Sequence, residues 1–305
     1  MILAIVPANI YEEKPFLISF RMISYYVFRY FLYPVLPIQV TNGSSAKGEM
    51  SMTGENIQSK VEWERRYGKS ISRDKDVCFV VHAMDLFNVF ISAISKSSSK
   101  PNVVDLGFGC GTLMCYMANK YDFIFSGVEG SPTACEKMRK INPCLNIVCG
   151  DVCNTGLMSE SYDAVISTQV IEHVDDDRFL YEIKRILKKN GVLYITTVFK
   201  NAKAFYFYKN EQGERVLEPT HLREYTSLDN IFGLLKKHNL KIKSYELVPT
   251  RFPVIDLMFR CVSKLIHNVS WFEKILASRY ISLARKKIKV RIPGYYFLEI
   301  FAESC

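Results

Sequence analysis

The sequence lacks the cysteine and lysine patterns that mark several common functional sites. None of its nine cysteines belongs to a CxxC pair, and their spacings match neither a zinc knuckle nor a disulfide framework. No GK[ST] follows its glycine-rich stretch, which excludes a P-loop. We therefore expect reduced, mostly buried thiols in a cytoplasmic protein.

Long uncharged apolar runs are also missing. The aromatic-rich stretch from Phe16 to Leu36 is interrupted by Arg21, Arg29 and Pro34, so it falls short of the roughly 18 residues of a membrane-spanning helix. No basic segment precedes the first apolar run, so we expect no secretory signal peptide. The aromatic stretch has two open interpretations, which are core packing and docking on a membrane.

Positive charge is concentrated near the end of the chain. The formal net charge is +9, and between Arg251 and Pro293 ten basic residues accompany two acidic ones. Such a segment favours an anionic partner, which can be a membrane surface, a phosphate-bearing substrate or nucleic acid. A solvated helical face is the alternative.

Short strands alternate with helices over most of the remaining chain. We predict strands over 102–106, 123–128, 145–149, 162–167, 192–198, 240–248 and 295–302, and helices over 112–120, 132–141, 176–189 and 228–238. This order predicts an α/β fold with a mainly parallel sheet and helices on both faces.

The same pattern suggests four segments. They are an aromatic-rich extension and polar linker (1–60), a core (61–250), a basic helical insertion (251–293) and a last core strand (294–305).

A glycine-rich turn follows the first predicted strand. In VVDLGFGCGT, Asp105 precedes Gly107, Gly109 and Gly111, which allow the backbone to approach a ligand closely. Thr112 stands where a dinucleotide fingerprint needs its third glycine, so a nicotinamide cofactor is disfavoured. A tight turn without a ligand is the alternative for this motif alone.

Four motifs in order give the chain a family resemblance. VVDLGFGCGT, GVEG, VCGDV and SYDAVISTQVIEHVDD follow successive strands, and LKKNGVLYITT matches the fifth. Over about 102–238 the sequence resembles the class I S-adenosylmethionine-dependent methyltransferases, and more narrowly their ubiquinone-biosynthesis-like small-molecule group. The resemblance implies a Rossmann-like seven-stranded sheet with an antiparallel last strand, and S-adenosylmethionine across the carboxyl ends of strands one to four.

The resemblance also implies which residues bind the cofactor. Glu129 would accept hydrogen bonds from both ribose hydroxyls, and Asp151 one from the adenine amino group. Capping a turn is a second, compatible role for Asp151. The implied cofactor-binding set is Asp105, Gly107, Gly109, Gly111, Glu129, Asp151, Val152 and Gln169.

Two further groups of residues are implied on the acceptor side. His173 is a candidate general base, and bracing the following loop is its alternative role. Gln169 stands where metal-assisted relatives carry an acid, so we expect no metal. His221, Arg223 and Tyr225 are candidate substrate-binding residues, and local packing beside a helix cap is the alternative for them.

The function predicted from these features is methyl transfer from S-adenosylmethionine to a small-molecule acceptor, most simply O-methylation of a lipophilic or anionic compound. The chain has no [DN]PP[FYW], so we expect no nucleic-acid partner. Peripheral contact with an anionic membrane is expected from the basic and aromatic segments. An inactive binding protein with this fold and a nucleic-acid methyltransferase stay as alternatives.

Overall fold

The computed structural model describes residues 81–204, 208–210, 212–218, 220–253 and 289–305, all within one unit of the chain. The aromatic-rich extension and linker, the first 20 residues of the predicted core and positions 254–288 of the basic segment lie outside the described residues.

Nine strands are described. They are β1 (Asn102–Leu106), β2 (Ile124–Glu129), β3 (Asn146–Cys149), β4 (Tyr162–Thr168), β5 (Leu187–Lys200), β6 (Tyr208–Lys209), β7 (Arg215–Val216), β8 (Leu240–Pro253) and β9 (Lys289–Ser304). Seven form one sheet in the order β3-β2-β1-β4-β5-β9-β8, and β6 pairs with β7 separately. Strands β1 to β5 pair in parallel, and β9 runs antiparallel to both of its neighbours. The predicted seven-stranded sheet with an antiparallel last strand is therefore confirmed.

Five helices are described, and they cover both faces of the sheet. They are α1 (Met84–Ser97), α2 (Thr112–Lys120), α3 (Pro132–Ile141), α4 (Asp176–Ile186) and α5 (Leu228–Lys237). On one face Phe179 of α4 and Ile231 of α5 pack in a core with β1 and β4, and on the other Phe90 of α1 packs with Tyr194. No helix in these ranges is long and apolar enough to cross a membrane.

Three helices begin at residues that suit an N-cap. The side chains of Ser131, Asp175 and Ser227 accept hydrogen bonds from backbone N–H groups at 3.2, 2.9 and 3.2 Å, respectively. Such caps satisfy donors that have no partner within the helix. The local sequence thus fixes where α3, α4 and α5 start.

The boundary between α4 and β5 was predicted wrongly. The helix expected over 176–189 ends at Ile186, and β5 begins at Leu187 rather than at position 192. Leu187 already pairs with Tyr162 of β4, and Asn190 takes a left-handed backbone with φ 60° before the regular pairing resumes. Pairing with the sheet therefore overrides the helical pattern of the sequence.

Strands β8 and β9 are also longer than predicted. Their pairing continues into both ends of the basic segment, where Arg251 lies opposite Arg291. Residues 254–288, between the two strands in the sequence, lie outside the described residues.

Candidate cofactor and active site

The glycine-rich turn after β1 has a backbone that only glycine adopts readily. Gly107, Gly109 and Gly111 have φ values of 76°, 54° and 70°. A Cβ atom on Gly107 would stand 2.4 Å from Val170 Cγ2, and one on Gly111 would stand 1.9 Å from Met138 Cε. The turn is thus packed closely between the segment after β4 and helix α3.

Glu129 lies at the end of β2 and supports this turn. It is 3% exposed, and its carboxylate accepts hydrogen bonds from Gly109 N–H at 2.8 Å and Ser131 N–H at 3.0 Å. These bonds place an anionic group at the carboxyl end of the sheet and join it to the glycine-rich turn and the start of α3.

Asp105 is a buried carboxyl below the same turn. Its Oδ1 has no hydrogen-bond partner in the described residues. Burial, and then the charge of Glu129, raise the pKa of Asp105 to about 7. A buried polar atom without a partner is uncommon in a folded protein, and here it suits a cationic ligand group.

Asp151 and Val152 follow β3 beside Glu129. Asp151 Oδ1 accepts a hydrogen bond from Cys153 N–H at 2.8 Å, which confirms the turn-capping role. Val152 is buried, and Gly150 N–H donates to Glu129 O at 3.0 Å. The ends of β2 and β3 therefore bring Glu129 and Asp151 to the same edge of the sheet.

These residues fit S-adenosylmethionine. The turn would clash with its neighbours if it carried side chains, Glu129 suits two hydroxyls, and Asp105 offers an unpartnered oxygen. Gln169 differs, because its backbone and side-chain N–H groups both donate to the Thr196 hydroxyl, at 3.2 and 3.3 Å. Its contact with the cofactor stays a prediction.

His173 ends a short 3₁₀ helix, Ile171–His173, directly after β4. Its Nδ1 lies 3.1 Å from Thr220 O. Its ring packs edge-to-face on the His221 ring, with centroids 4.8 Å apart. The structure therefore brings two histidines together from distant parts of the sequence.

His221 is held by a buried carboxylate, Glu224. The distance from His221 Nδ1 to Glu224 Oε1 is 2.6 Å, and both side chains are buried. Burial alone would lower the pKa of His221, but the hydrogen bond to Glu224 and the negative charges of Glu172, Glu218 and Glu224 together outweigh it, and the pKa is raised. Burial would raise the pKa of Glu224, but hydrogen bonds from His221 and Leu217 N–H favour the carboxylate, and the pKa is lowered.

Glu172 completes this cluster. The Thr197 hydroxyl donates to its Oε2 at 3.1 Å, and its Oε1 has no hydrogen-bond partner within the described part of the chain. Burial raises the pKa of Glu172 to about 7, although the neighbouring His221 opposes the rise. The sequence alone assigned no chemical role to Glu172 or Glu224. For Glu224, the one sequence feature that could have indicated a pairing with His221 is its position three residues later.

Arg223 and Tyr225 are engaged within the protein. Arg223 donates to the carbonyl groups of Ile171 and Val174 and forms an ion pair with Asp176 at 3.3 Å. The Tyr225 hydroxyl donates to Asp176 at 3.0 Å. These bonds tie their segment to the 3₁₀ helix and α4, and substrate binding by the two residues stays a prediction.

Glu172, His173 and His221 are also the group of described residues that could hold a metal ion. One donor atom from each lies within 4.8 Å of the others. The expectation of no metal, which depended on Gln169, therefore needs a direct test.

Comparisons with known proteins identify the domain that contains these residues. Residues 104–195 match the methyltransferase domain family. The ubiquinone biosynthesis O-methyltransferase of Pelagibacter ubique (strain HTCC1062) is 29% identical over 103 residues, which are 32% of this chain and 42% of that protein. The match thus spans less than half of this relative.

Solved structures share the fold. The [4+2]-cyclase SpnF has a TM-score of 0.50 at 17% identity, covering 78% of this chain and 84% of its own. The YcgJ protein of Bacillus subtilis has a TM-score of 0.50 at 13% identity, covering 72% and 98%. A cyclase among them means that the fold alone does not define the reaction, so the assignment depends on the domain match and the site. Residues 104–195, which contain the glycine-rich turn, Glu129 and Asp151, therefore form a methyltransferase domain of the class I type, with S-adenosylmethionine as its cofactor.

Proposed function

We propose that this chain methylates a hydroxyl oxygen of a small lipophilic or anionic acceptor, with His173 as the general base. The observation that carries the proposal is the position of His173. Its 3₁₀ helix follows Val170, which packs against Gly107 of the cofactor turn, and Thr220 O contacts Nδ1 at one edge of its ring.

The contact with Thr220 selects the tautomer of the neutral His173 ring. A carbonyl oxygen only accepts hydrogen bonds, so Nδ1 carries the proton of the neutral ring and Nε2 carries the lone pair. A lone pair on Nε2 can take the proton of an acceptor hydroxyl as its oxygen is methylated.

Bound S-adenosylmethionine would supply an activated methyl group on its sulfonium sulfur. The protein residues would bind and align the reactants, since in-line displacement depends mainly on geometry and exclusion of water. Gly107, Gly109, Glu129 and Asp151 would hold the cofactor on one side of the reacting atoms, and His173 would face the acceptor.

Glu224 acts through His221 in this proposal. Lys200 Nζ and the Tyr295 hydroxyl lie 3.3 Å from its second oxygen, so the carboxylate is fixed from several directions. His221 is thereby held against the His173 ring. Glu224 is a positioning residue for the base, because it contacts neither reactant.

Two observations support the acceptor class. The curated relative named above is an O-methyltransferase, which favours oxygen as the methylated atom. Ten basic residues between Arg251 and Pro293, and the aromatic stretch from Phe16 to Leu36, suit an amphiphile with an anionic head.

The reaction can be tested with methyl-labelled S-adenosylmethionine and three acceptors: a short-chain prenylated catechol, phosphatidylethanolamine and RNA. We expect label in a methyl ether of the catechol. His173→Ala should lower turnover by about 10²- to 10⁴-fold with cofactor affinity unchanged. His238→Ala, remote from the cluster, should keep the turnover of the wild type. Label only in the amine or the RNA contradicts the proposal.

Peripheral membrane association follows from the same charge and aromatic pattern. The full chain should co-sediment with liposomes that contain anionic lipid, and the bound fraction should fall at high salt because screening weakens surface charge. A bound fraction that depends on neither the salt concentration nor the lipid charge would exclude electrostatic association.

A further inference from the structure

Two cysteines lie on neighbouring elements beside Glu129 of the cofactor site. Cys135 of α3 is fully buried, and its Sγ lies 3.3 Å from Glu129 O and 3.9 Å from Val148 O. Cys149 ends β3 directly after Val148, so it is one residue away from the carbonyl group that the Cys135 thiol contacts. The pair thus bridges α3 and the end of β3.

The register of the sheet places Cys149 on the face of β3 that lies under α3. Cys149 lies opposite Glu129 in the β2–β3 pairing, so the two residues share one face of the sheet. Ile147, two positions earlier on β3, packs in the same apolar cluster as Cys135, which places that face under α3.

The two cysteines differ in their access to solvent. Cys149 is exposed, whereas Cys135 is buried and burial raises the pKa of its thiol to about 12. An oxidant in solution therefore reaches Cys149 first, and Cys135 is placed to react with the oxidised sulfur. Redox-sensitive cysteines often combine an accessible thiol with a resolving partner.

We propose that Cys135 and Cys149 form a reversible disulfide that weakens cofactor binding when a hydroperoxide oxidises the protein. The Cys149 thiol attacks the peroxide oxygen and becomes a sulfenic acid, releasing an alcohol or water. The Cys135 sulfur then attacks the Cys149 sulfur, which forms the S–S bond and releases water. The peroxide accepts the two electrons, and the two thiol protons leave in the products.

The position of the bond explains the effect on the cofactor. Cys149 is separated from Asp151 by Gly150 alone, and Gly150 N–H and the Cys135 thiol both donate to Glu129 O. A disulfide removes the thiol donor and draws α3 toward the loop that carries Asp151. Glu129 and Asp151, which would bind the adenosine part of the cofactor, then change their spacing.

The test treats the full chain with hydrogen peroxide, maps disulfides by mass spectrometry and titrates S-adenosylhomocysteine. We expect a Cys135–Cys149 peptide pair and a loss of affinity of about tenfold or more, with both reversed by dithiothreitol. Cys149→Ser, at an exposed position, should keep the affinity of the reduced protein and resist peroxide. Cys144→Ser, exposed in the loop before β3, should stay as sensitive as the wild type.

Three results would overturn the proposal: linkage of Cys149 to another cysteine, oxidation of Cys149 without a link, or a Cys135–Cys149 bond that leaves affinity unchanged. These results do not depend on the methyl acceptor, so they are separate from a failure of the proposed reaction.

Discussion

Gly107 lies so close to Val170 that a Cβ atom on the glycine would stand 2.4 Å from Val170 Cγ2. This approach joins the cofactor turn to the segment that leads into His173. We predict that Gly107→Ala lowers cofactor affinity and stability, because the left-handed backbone costs about 1 to 2 kcal/mol with a Cβ atom and the clash adds about 1 to 3 kcal/mol. Calorimetric titration and thermal unfolding measure the two effects.

Gly156→Ala is the matched control for this substitution. Gly156 has a similar φ of 69°, but a Cβ there meets nothing within 4 Å. Gly156→Ala should lower stability through the strained backbone, but it should not weaken cofactor binding. Equal effects of the two variants would mean that the contact with Val170 does not matter.

Glu129→Gln should weaken binding of S-adenosylmethionine. The substitution keeps the size of the side chain but removes the charge that would accept the ribose hydroxyls, at a cost of about 1.5 to 3 kcal/mol for a hydrogen bond to a charged group. Glu136→Gln on the exposed side of α3 is the control, since Glu136 pairs with Lys140 in solvent. Equal affinities for the two variants would exclude the ribose role.

Stability should depend on pH through Asp105. Its pKa is raised from 3.8 to about 7 in the folded protein, so between these values the unfolded state releases a proton that the folded state keeps. The free energy of unfolding therefore falls as pH rises from about 4 to about 7, by at most about 1.4 kcal/mol per pH unit for one group.

Urea unfolding of the wild type and Asp105→Asn at several pH values measures this contribution. The free energy of unfolding of the variant should depend less steeply on pH than that of the wild type. Glu172 should supply the pH dependence that remains, because its pKa is also raised to about 7. Asp122→Asn, at an exposed residue, should follow the wild type. Parallel curves for Asp105→Asn and the wild type would contradict the assignment.

Removal of metal ions should leave cofactor affinity and methyl transfer unchanged. Glu224 holds one nitrogen of His221, and the raised pKa of the ring favours its protonated form, which disfavours a cation at this cluster. The measurement compares protein dialysed against a chelator with protein supplied with Mg²⁺, Mn²⁺ or Zn²⁺. Activity lost on dialysis and restored by one ion would identify a metal centre instead.

The sheet and the cofactor turn were predictable because their signals are local. The glycines at 107, 109 and 111 lie within five residues, and Glu129 directly ends an apolar strand. A short motif of this kind fixes its own backbone, so the sequence predicted both the turn and the strand beside it.

The acceptor side was less predictable because its contacts come from distant segments. His173 and His221 are 48 positions apart, and the partners of Glu224 include Lys200 and Tyr295 from β5 and β9. No periodic pattern marks such contacts. For the same reason, the internal bonds of Arg223 were visible only in the structure.

We infer that the turn after β1 and the carboxylate at the end of β2 form the site for S-adenosylmethionine. Calorimetric titration of the full chain with S-adenosylmethionine, S-adenosylhomocysteine and NAD tests it most directly. We expect S-adenosylmethionine and S-adenosylhomocysteine to bind with one site per chain, and NAD not to bind. Binding of NAD, or of none of the three, would contradict it.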